Sequence, residues 1–211
     1  MLSVEANERL TRVGPGTPCG NFLRRYWFPL RPYAQLLSET VMKVRLLGED
    51  LVLFRSAAGQ VGLVEPSCAH RKANLSYGVP EPEGIRCAYH GWLFDVNGNC
   101  LDQPSEPVGS RFKDKVKLKA YPTQELGGLI FAYMGPEPAP LLPRHVVLVW
   151  PGVRKTYSIS LPCNWLQCQE NSLDPVHTEW LNAYQSRYLQ QRAGVPEEKL
   201  QGVEHHAKIG F

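Results

Sequence analysis

A chain of 211 residues that is 43% hydrophobic and 20% charged has room for one large or two modest globular domains. Its net charge of +3 is too small and too scattered to argue for nucleic acid, and no run approaches the roughly twenty apolar residues a membrane helix needs. The opening residues Met1 to Glu8 are polar and acidic rather than a signal segment, and the six cysteines show no disulfide framework, so a soluble, cytoplasmic protein with reduced thiols is expected.

From about Tyr26 to Tyr133 the pattern is short strands divided by turns. Val41 to Leu46 and Leu51 to Arg55 flank a hairpin signal at Leu47-Gly48-Glu49-Asp50, and a turn at Ala58-Gly59-Gln60 leads into Val61 to Glu65. Asp95 to Asn99 contains an Asn-Gly turn, and Leu129 to Met134 is apolar enough for a buried strand. Strands at this spacing predict a small antiparallel sandwich whose loops are held by a rigid scaffold.

Two of those loops carry Cys68-Ala69-His70 and Cys87-Ala88-Tyr89-His90, separated by sixteen residues. Each pair mixes one thiolate and one imidazole, so each loop can give one ligand to each iron of a Rieske-type [2Fe–2S] cluster. A Cys2His2 zinc site uses the same four donors, but it ordinarily places the two cysteines together and then the two histidines. The remaining cysteines, Cys19, Cys100, Cys163 and Cys168, read as free and mostly buried thiols.

The basic stretch Arg111 to Lys119 alternates like the solvated face of a strand; a docking patch for an acidic electron donor is the other use of it. Gly135 to Pro143 holds four prolines within eight positions and reads as a stiff connector. Beyond it Thr156 to Leu161 alternates as a strand, and Asn164 to Trp180 carries helix formers with Asn164 or Asp174 as candidate caps. Val203 to Phe211, with the adjacent His205 and His206, alternates once more. No internal repeat and no phosphate-binding or dinucleotide-binding glycine motif is present.

Within Glu170 to His177, Asp174 and His177 are three apart, which puts both on one face of a helix. One Asp and one His at that spacing make a local hydrogen bond or, with a further histidine, part of a two-histidine, one-carboxylate iron site.

The chain resembles the Rieske non-haem iron oxygenases, the aromatic-ring hydroxylases, in their phthalate 4,5-dioxygenase-like branch. The second motif of that family reads N-x-x-D-x-x-H-x-x-x-x-H, and Asn171, Asp174 and His177 match it. Leu10 to Pro18, Arg25-Tyr26-Trp27, Val44 to Leu51, Pro104-Ser105-Glu106-Pro107 and Phe112 to Leu118 are similar as well, so the resemblance covers essentially the whole chain. It implies an α+β fold: a mostly antiparallel β Rieske domain followed by the beginning of a helix-grip-type catalytic domain. The expected division is an N-terminal segment at 1–25, the Rieske domain at 26–137 and an incomplete catalytic domain at 138–211.

By the same resemblance, Cys68, His70, Cys87 and His90 hold the [2Fe–2S] cluster and His177 is a ligand of a mononuclear Fe(II). Asp174 bridges cluster and iron site between neighbouring subunits of a homotrimer, with Asn171 beside it. An NAD(P)H-dependent reductase or ferredoxin supplies electrons, and a small aromatic substrate is hydroxylated. Two departures stand out. Asn182 occupies the position of the second iron histidine, and the third ligand, an aspartate, would lie beyond Phe211. The expectation is therefore a truncated oxygenase subunit, with a Rieske electron-transfer protein or an inactive paralogue as the alternative.

Overall fold

The computed structural model describes residues 2–201. Contacts divide it into two units, Met1–Ile159 and Ser160–Phe211. The alternating stretch at 203–211, with His205 and His206, lies outside the described residues.

In the first unit, helices α1 (Val4–Thr11) and α2 (Pro18–Leu23) start at side-chain caps: Ser3 accepts from the Ala6 N–H, and Thr17 from the Gly20 N–H. β1 (Trp27–Pro32) and α3 (Tyr33–Ser38) lead into the hairpin of β2 (Val41–Leu46) and β3 (Glu49–Arg55). The turn is tighter than the four residues expected, because Leu46 pairs with Glu49 and leaves only Leu47 and Gly48 between the strands. Both have positive φ, 44° and 79°, as a type I′ turn demands. A leucine there is strained, and it is held by burial of its side chain and by Arg24 Nη2 donating to its carbonyl at 2.9 Å.

β4 (Val61–Val64) follows, then β5 (Val79–Glu81), β6 (Gly84–Arg86), β7 (Leu93–Phe94), β8 (Cys100–Asp102), β9 (Ala120–Tyr121), β10 (Thr123–Leu126) and β11 (Leu129–Tyr133). They form three antiparallel sheets, ordered β1-β11-β10, β2-β3-β4-β9 and β5-β6-β7-β8. A simple two-layer sandwich would leave one face of the middle sheet wet. Here β3 is buried on both faces from Leu51 to Phe54. Leu51 and Leu53 join Leu63, Ile130 and Ala132 in one core, while Val52 and Phe54 join Ile85, Trp92 and Phe94 in the other. Each fully buried Leu, Ile, Val or Phe among them contributes roughly 1.5–3 kcal/mol relative to exposure. Gly84 lets β6 and β7 close: a Cβ there would lie 1.9 Å from the Phe94 carbonyl oxygen.

The basic stretch is not a strand along its length. Phe112–Lys115 is a 3₁₀ turn, and only Lys117 makes a β-bridge, to Asn99. Leu118 is nevertheless buried and Lys117 and Lys119 exposed, so the alternation survives in an extended segment. A short α4 (Val146–Val149) follows the proline-rich connector. Residues 156–161 form no strand; all are exposed, and no described segment pairs with them, which a strand in water requires.

In the second unit the helix formers from Asn164 to Trp180 divide into two runs. α5 (Trp165–Leu173) is capped by Asn164 and ends at Asp174, because Pro175 cannot continue it. Asp174 Oδ1 then accepts from the Val176 N–H at 2.8 Å and starts the next helical run. That run winds as a π-helix over Thr178–Tyr184 before α6 (Gln185–Arg192).

Candidate metal centre

The two ligand loops are near-copies in backbone terms. In the first, the Cys68 N–H donates to the Ala73 carbonyl at 2.9 Å and the Lys72 N–H donates back to the Cys68 carbonyl at 3.0 Å. In the second, the Cys87 N–H donates to the Trp92 carbonyl at 2.8 Å and the Gly91 N–H to the Cys87 carbonyl at 3.0 Å. Each loop therefore closes at the same offsets from its cysteine. The fifth residue of each has positive φ: 57° at Lys72 and 75° at Gly91. Glycine takes that conformation freely and lysine does not.

The loops present thiols inward and imidazoles outward. Cys68 and Cys87 are 1% and 3% exposed and belong to the core that contains Phe54 and Phe94. His70 is exposed and His90 half-buried, and their ring centroids are 4.6 Å apart. Trp92 lies flat against His70, 4.6 Å between centroids and 8° between planes, and Tyr89 covers His90 at 3.8 Å.

The electrostatics follow from this layering. Burial pushes the Cys68 thiol up to about 11; the adjoining Cys87 thiol adds to the rise, and the backbone N–H groups of His70 and Arg71 oppose it. Partial desolvation, with His70 and Arg71 nearby, holds His90 below the ordinary histidine value and favours neutral imidazole. Two buried thiols and two imidazoles at the surface are the donor set of a [2Fe–2S] cluster ligated by two cysteines and two histidines, so these residues fit that group. Among the described residues no set of three or more His, Cys, Asp and Glu side chains gathers as a single-ion site would.

Sequence reasoning missed the residue that braces the second loop. Arg86, immediately before Cys87, forms a bidentate pair with Glu81 at 2.5 and 2.8 Å. Its Nη1 also donates to the Gly91 carbonyl at 2.5 Å and to Asp102 Oδ2 at 2.8 Å. One guanidinium thus ties β5, β8 and the ligand loop together, and it holds the Glu81 carboxyl below its ordinary value. Nothing local marks Arg86, because its partners are brought in by strand pairing. Pro104, from the Pro104-Ser105-Glu106-Pro107 segment, closes on the same loop: a Cβ on Gly91 would lie 3.1 Å from its Cγ.

The second constellation is held locally. Asp174 and His177 do not share a helix, since Asp174 is in extended backbone at the end of α5. They still meet: His177 Nδ1 lies 2.6 Å from the Asp174 carbonyl oxygen and 4.0 Å from its Oδ2. With Nδ1 donating to that carbonyl, Nε2 is the nitrogen left to accept or to ligate. Asn171 sits in the last turn of α5 and is exposed, as are Asp174 and Asn182. A spacing of five turns positions 177 and 182 about 140° apart on an ideal α-helix. The i→i+5 winding at Thr178–Tyr184 takes more residues per turn and so narrows that angle.

Comparison with known families matches residues 26–122 to the Rieske [2Fe-2S] domain. The chain is 48% identical to the 5,5'-dehydrodivanillate O-demethylase oxygenase subunit of Sphingobium sp. (strain NBRC 103272 / SYK-6), over 100% of this chain and 49% of that protein. It is 40% identical to the phthalate 4,5-dioxygenase oxygenase subunit of Pseudomonas putida, over 93% of this chain and 45% of that one. Among solved structures it is similar to the reduced complex between oxygenase and ferredoxin in carbazole 1,9a-dioxygenase, with 27% identity, a TM-score of 0.52, and 65% of this chain against 33% of that chain covered. The chain spans about half the length of the curated relatives it matches. Among the described residues no helix is long and apolar enough to cross a membrane.

Proposed function

We propose that the chain is part of a Rieske-type oxygenase subunit in which Cys68, His70, Cys87 and His90 hold a [2Fe–2S] cluster that feeds an oxygenase reaction. The observation that carries this is the pair of equivalent loops, each with a buried thiol and an outward imidazole, whose histidine rings lie 4.6 Å apart. When bound, the cluster takes up and passes on one electron at a time, at a potential raised by its imidazole ligands. The chain's own residues shape that role. The core around Phe54 and Phe94 keeps water from the two thiols, Arg86 fixes the second loop, and Trp92 fixes the plane of His70.

Electrons come from a ferredoxin or an NAD(P)H-dependent reductase; the ferredoxin is supported by the ferredoxin-bound carbazole oxygenase to which the chain is similar. A small aromatic substrate is supported by relatives named for phthalate and dehydrodivanillate. In this reading residues 26–137 carry the cluster and 138–211 begin the iron domain, in a homotrimer within the cytoplasm. Asp174, with Asn171 a turn before it, would stand between a cluster histidine and a mononuclear Fe(II) site held by a neighbouring copy. His177 offers that iron its Nε2, because Nδ1 is engaged by the Asp174 carbonyl. Asn182 offers only a weak, neutral amide where the family has its second histidine, which favours a plain electron carrier as the second reading.

Iron and acid-labile sulfide are to be counted on anaerobically purified protein. About two irons and two sulfides per chain with a brown visible spectrum are expected for the cluster, and zinc in a colourless protein would overturn it. A third iron, with O2 uptake driven by ferredoxin, reductase and an aryl carboxylate, separates the oxygenase from the carrier.

A further inference from the structure

Helix α5 starts where Asn164 caps it, Oδ1 accepting from the Leu166 N–H at 3.0 Å and the Gln167 N–H at 3.3 Å. In a capped helix the residue before the cap packs against the fourth helical residue, normally as an apolar staple. Here both positions are cysteine: Cys163 precedes the cap and Cys168 is fourth in the helix. Their sulfurs are 3.6 Å apart, neither is in a disulfide, and Cys163 is exposed while Cys168 is half-buried. Two apolar side chains would staple the helix and do nothing else. Two thiols kept in contact by the cap can be joined.

We propose that Cys163 and Cys168 are a reversible thiol–disulfide pair, a redox-modification site that clamps the start of α5. Hydrogen peroxide is an adequate oxidant. The exposed Cys163 sulfur attacks one peroxide oxygen, the O–O bond breaks, water leaves and Cys163 becomes the sulfenic acid. The Cys168 sulfur then attacks the Cys163 sulfur, the S–O bond breaks, the S–S bond forms and a second water leaves. The two thiol hydrogens and the two peroxide hydrogens end in the two waters; the sulfurs lose two electrons and the peroxide oxygens gain them. The sulfurs close from 3.6 Å by about 1.5 Å, shared between two rotatable side chains. Because Asn171 and Asp174 lie in the last turn and at the end of the same helix, the bond restrains the element that carries them.

The test treats the full chain with peroxide near stoichiometry, blocks remaining thiols with iodoacetamide and maps the tryptic peptides. Cleavage after Lys155 and Arg187 leaves both cysteines in one peptide. In the wild type both positions should lose alkylation together, the peptide should be about two mass units lighter than its unalkylated dithiol form, and dithiothreitol should restore both. Cys19 and Cys100 should stay alkylated, and amide exchange in the first turn of α5 should slow about ten-fold or more. In C168S, Cys163 should instead run on to sulfinic acid, which dithiothreitol does not reverse. The proposal is overturned if both positions remain alkylatable at doses that oxidise Cys19 or Cys100. Equal sinking weight attaches to Cys163 reaching sulfinic acid as fast in the wild type as in C168S.

Discussion

Cys68 and Cys87 are positioned by long-range pairing, whereas Asp174 and His177 are positioned by neighbours three residues away. The first two sit in a core drawn from β3, β4, β6 and β7, at 1% and 3% exposure. Of the described residues in the second unit only Ala183 is buried, and its motif rests on a cap, a proline break and one contact between His177 and the Asp174 carbonyl. Two buried thiols carry a desolvation cost that the packing of the core around them must offset. A motif set by backbone turns is free to shift with its local winding, which gives the second region its susceptibility to a clamp such as Cys163–Cys168.

This contrast can be broken in five places. Cys87→Ser should abolish the cluster outright, leaving less than about a tenth of the iron and no visible absorbance, because a hydroxyl cannot replace the thiolate. In a full-length, active version Asp174→Asn should leave that absorbance unchanged and slow product formation by about 10- to 100-fold. A mutant with full turnover would remove the relay role and leave Asp174 as a turn residue. Arg86→Ala should cost about 2–3 kcal/mol in urea unfolding, since it strands Glu81, Asp102 and the Gly91 carbonyl. The cluster should also bleach several-fold faster under a chelator, with Arg86→Lys restoring part of the loss.

Glu49 tests a second, partly buried ion-pair cluster of the same unit. Its carboxylate pairs with Arg24 and Lys119, each at 2.6 Å, and accepts from the Tyr121 hydroxyl. Burial raises its pKa, and the bonds from Lys119, Tyr121 and Arg24 outweigh that and hold it below the ordinary 4.5. A carboxylate with a depressed folded-state pKa stabilises the fold above its unfolded value and ceases to do so as pH falls through the folded one. Glu49→Gln should therefore cost about 2 kcal/mol at pH 7 and flatten stability against pH below about 4.5. The smallest effect is expected at Lys72→Gly, a gain of roughly 0.5–1 kcal/mol in thermal unfolding, because glycine relieves the left-handed strain that Gly91 already avoids in the matching loop.

Much of the first unit was legible in the chain. The strands Val41–Leu46, Val61–Val64 and Leu129–Tyr133 follow from alternation and turn residues, and the Asn97-Gly98 turn from its dipeptide. The expected strand at 156–161 failed because alternation licenses a strand without supplying its partner. The helix formers from Asn164 to Trp180 and both candidate caps were visible, whereas the π winding of the second run was not.

By itself the sequence determined which donors exist and which share a loop, since a C-x-H and a C-x-x-H pair are fixed by covalent spacing. It determined the caps and the turn residues for the same local reason. Only the tertiary structure decided that thiols point inward and imidazoles outward, that Trp92 stacks on His70, and that Arg86 reaches Gly91 and Asp102. Burial, ring stacking and ion pairing depend on which segments meet, and that is set by strand order and core packing rather than by any short run of residues.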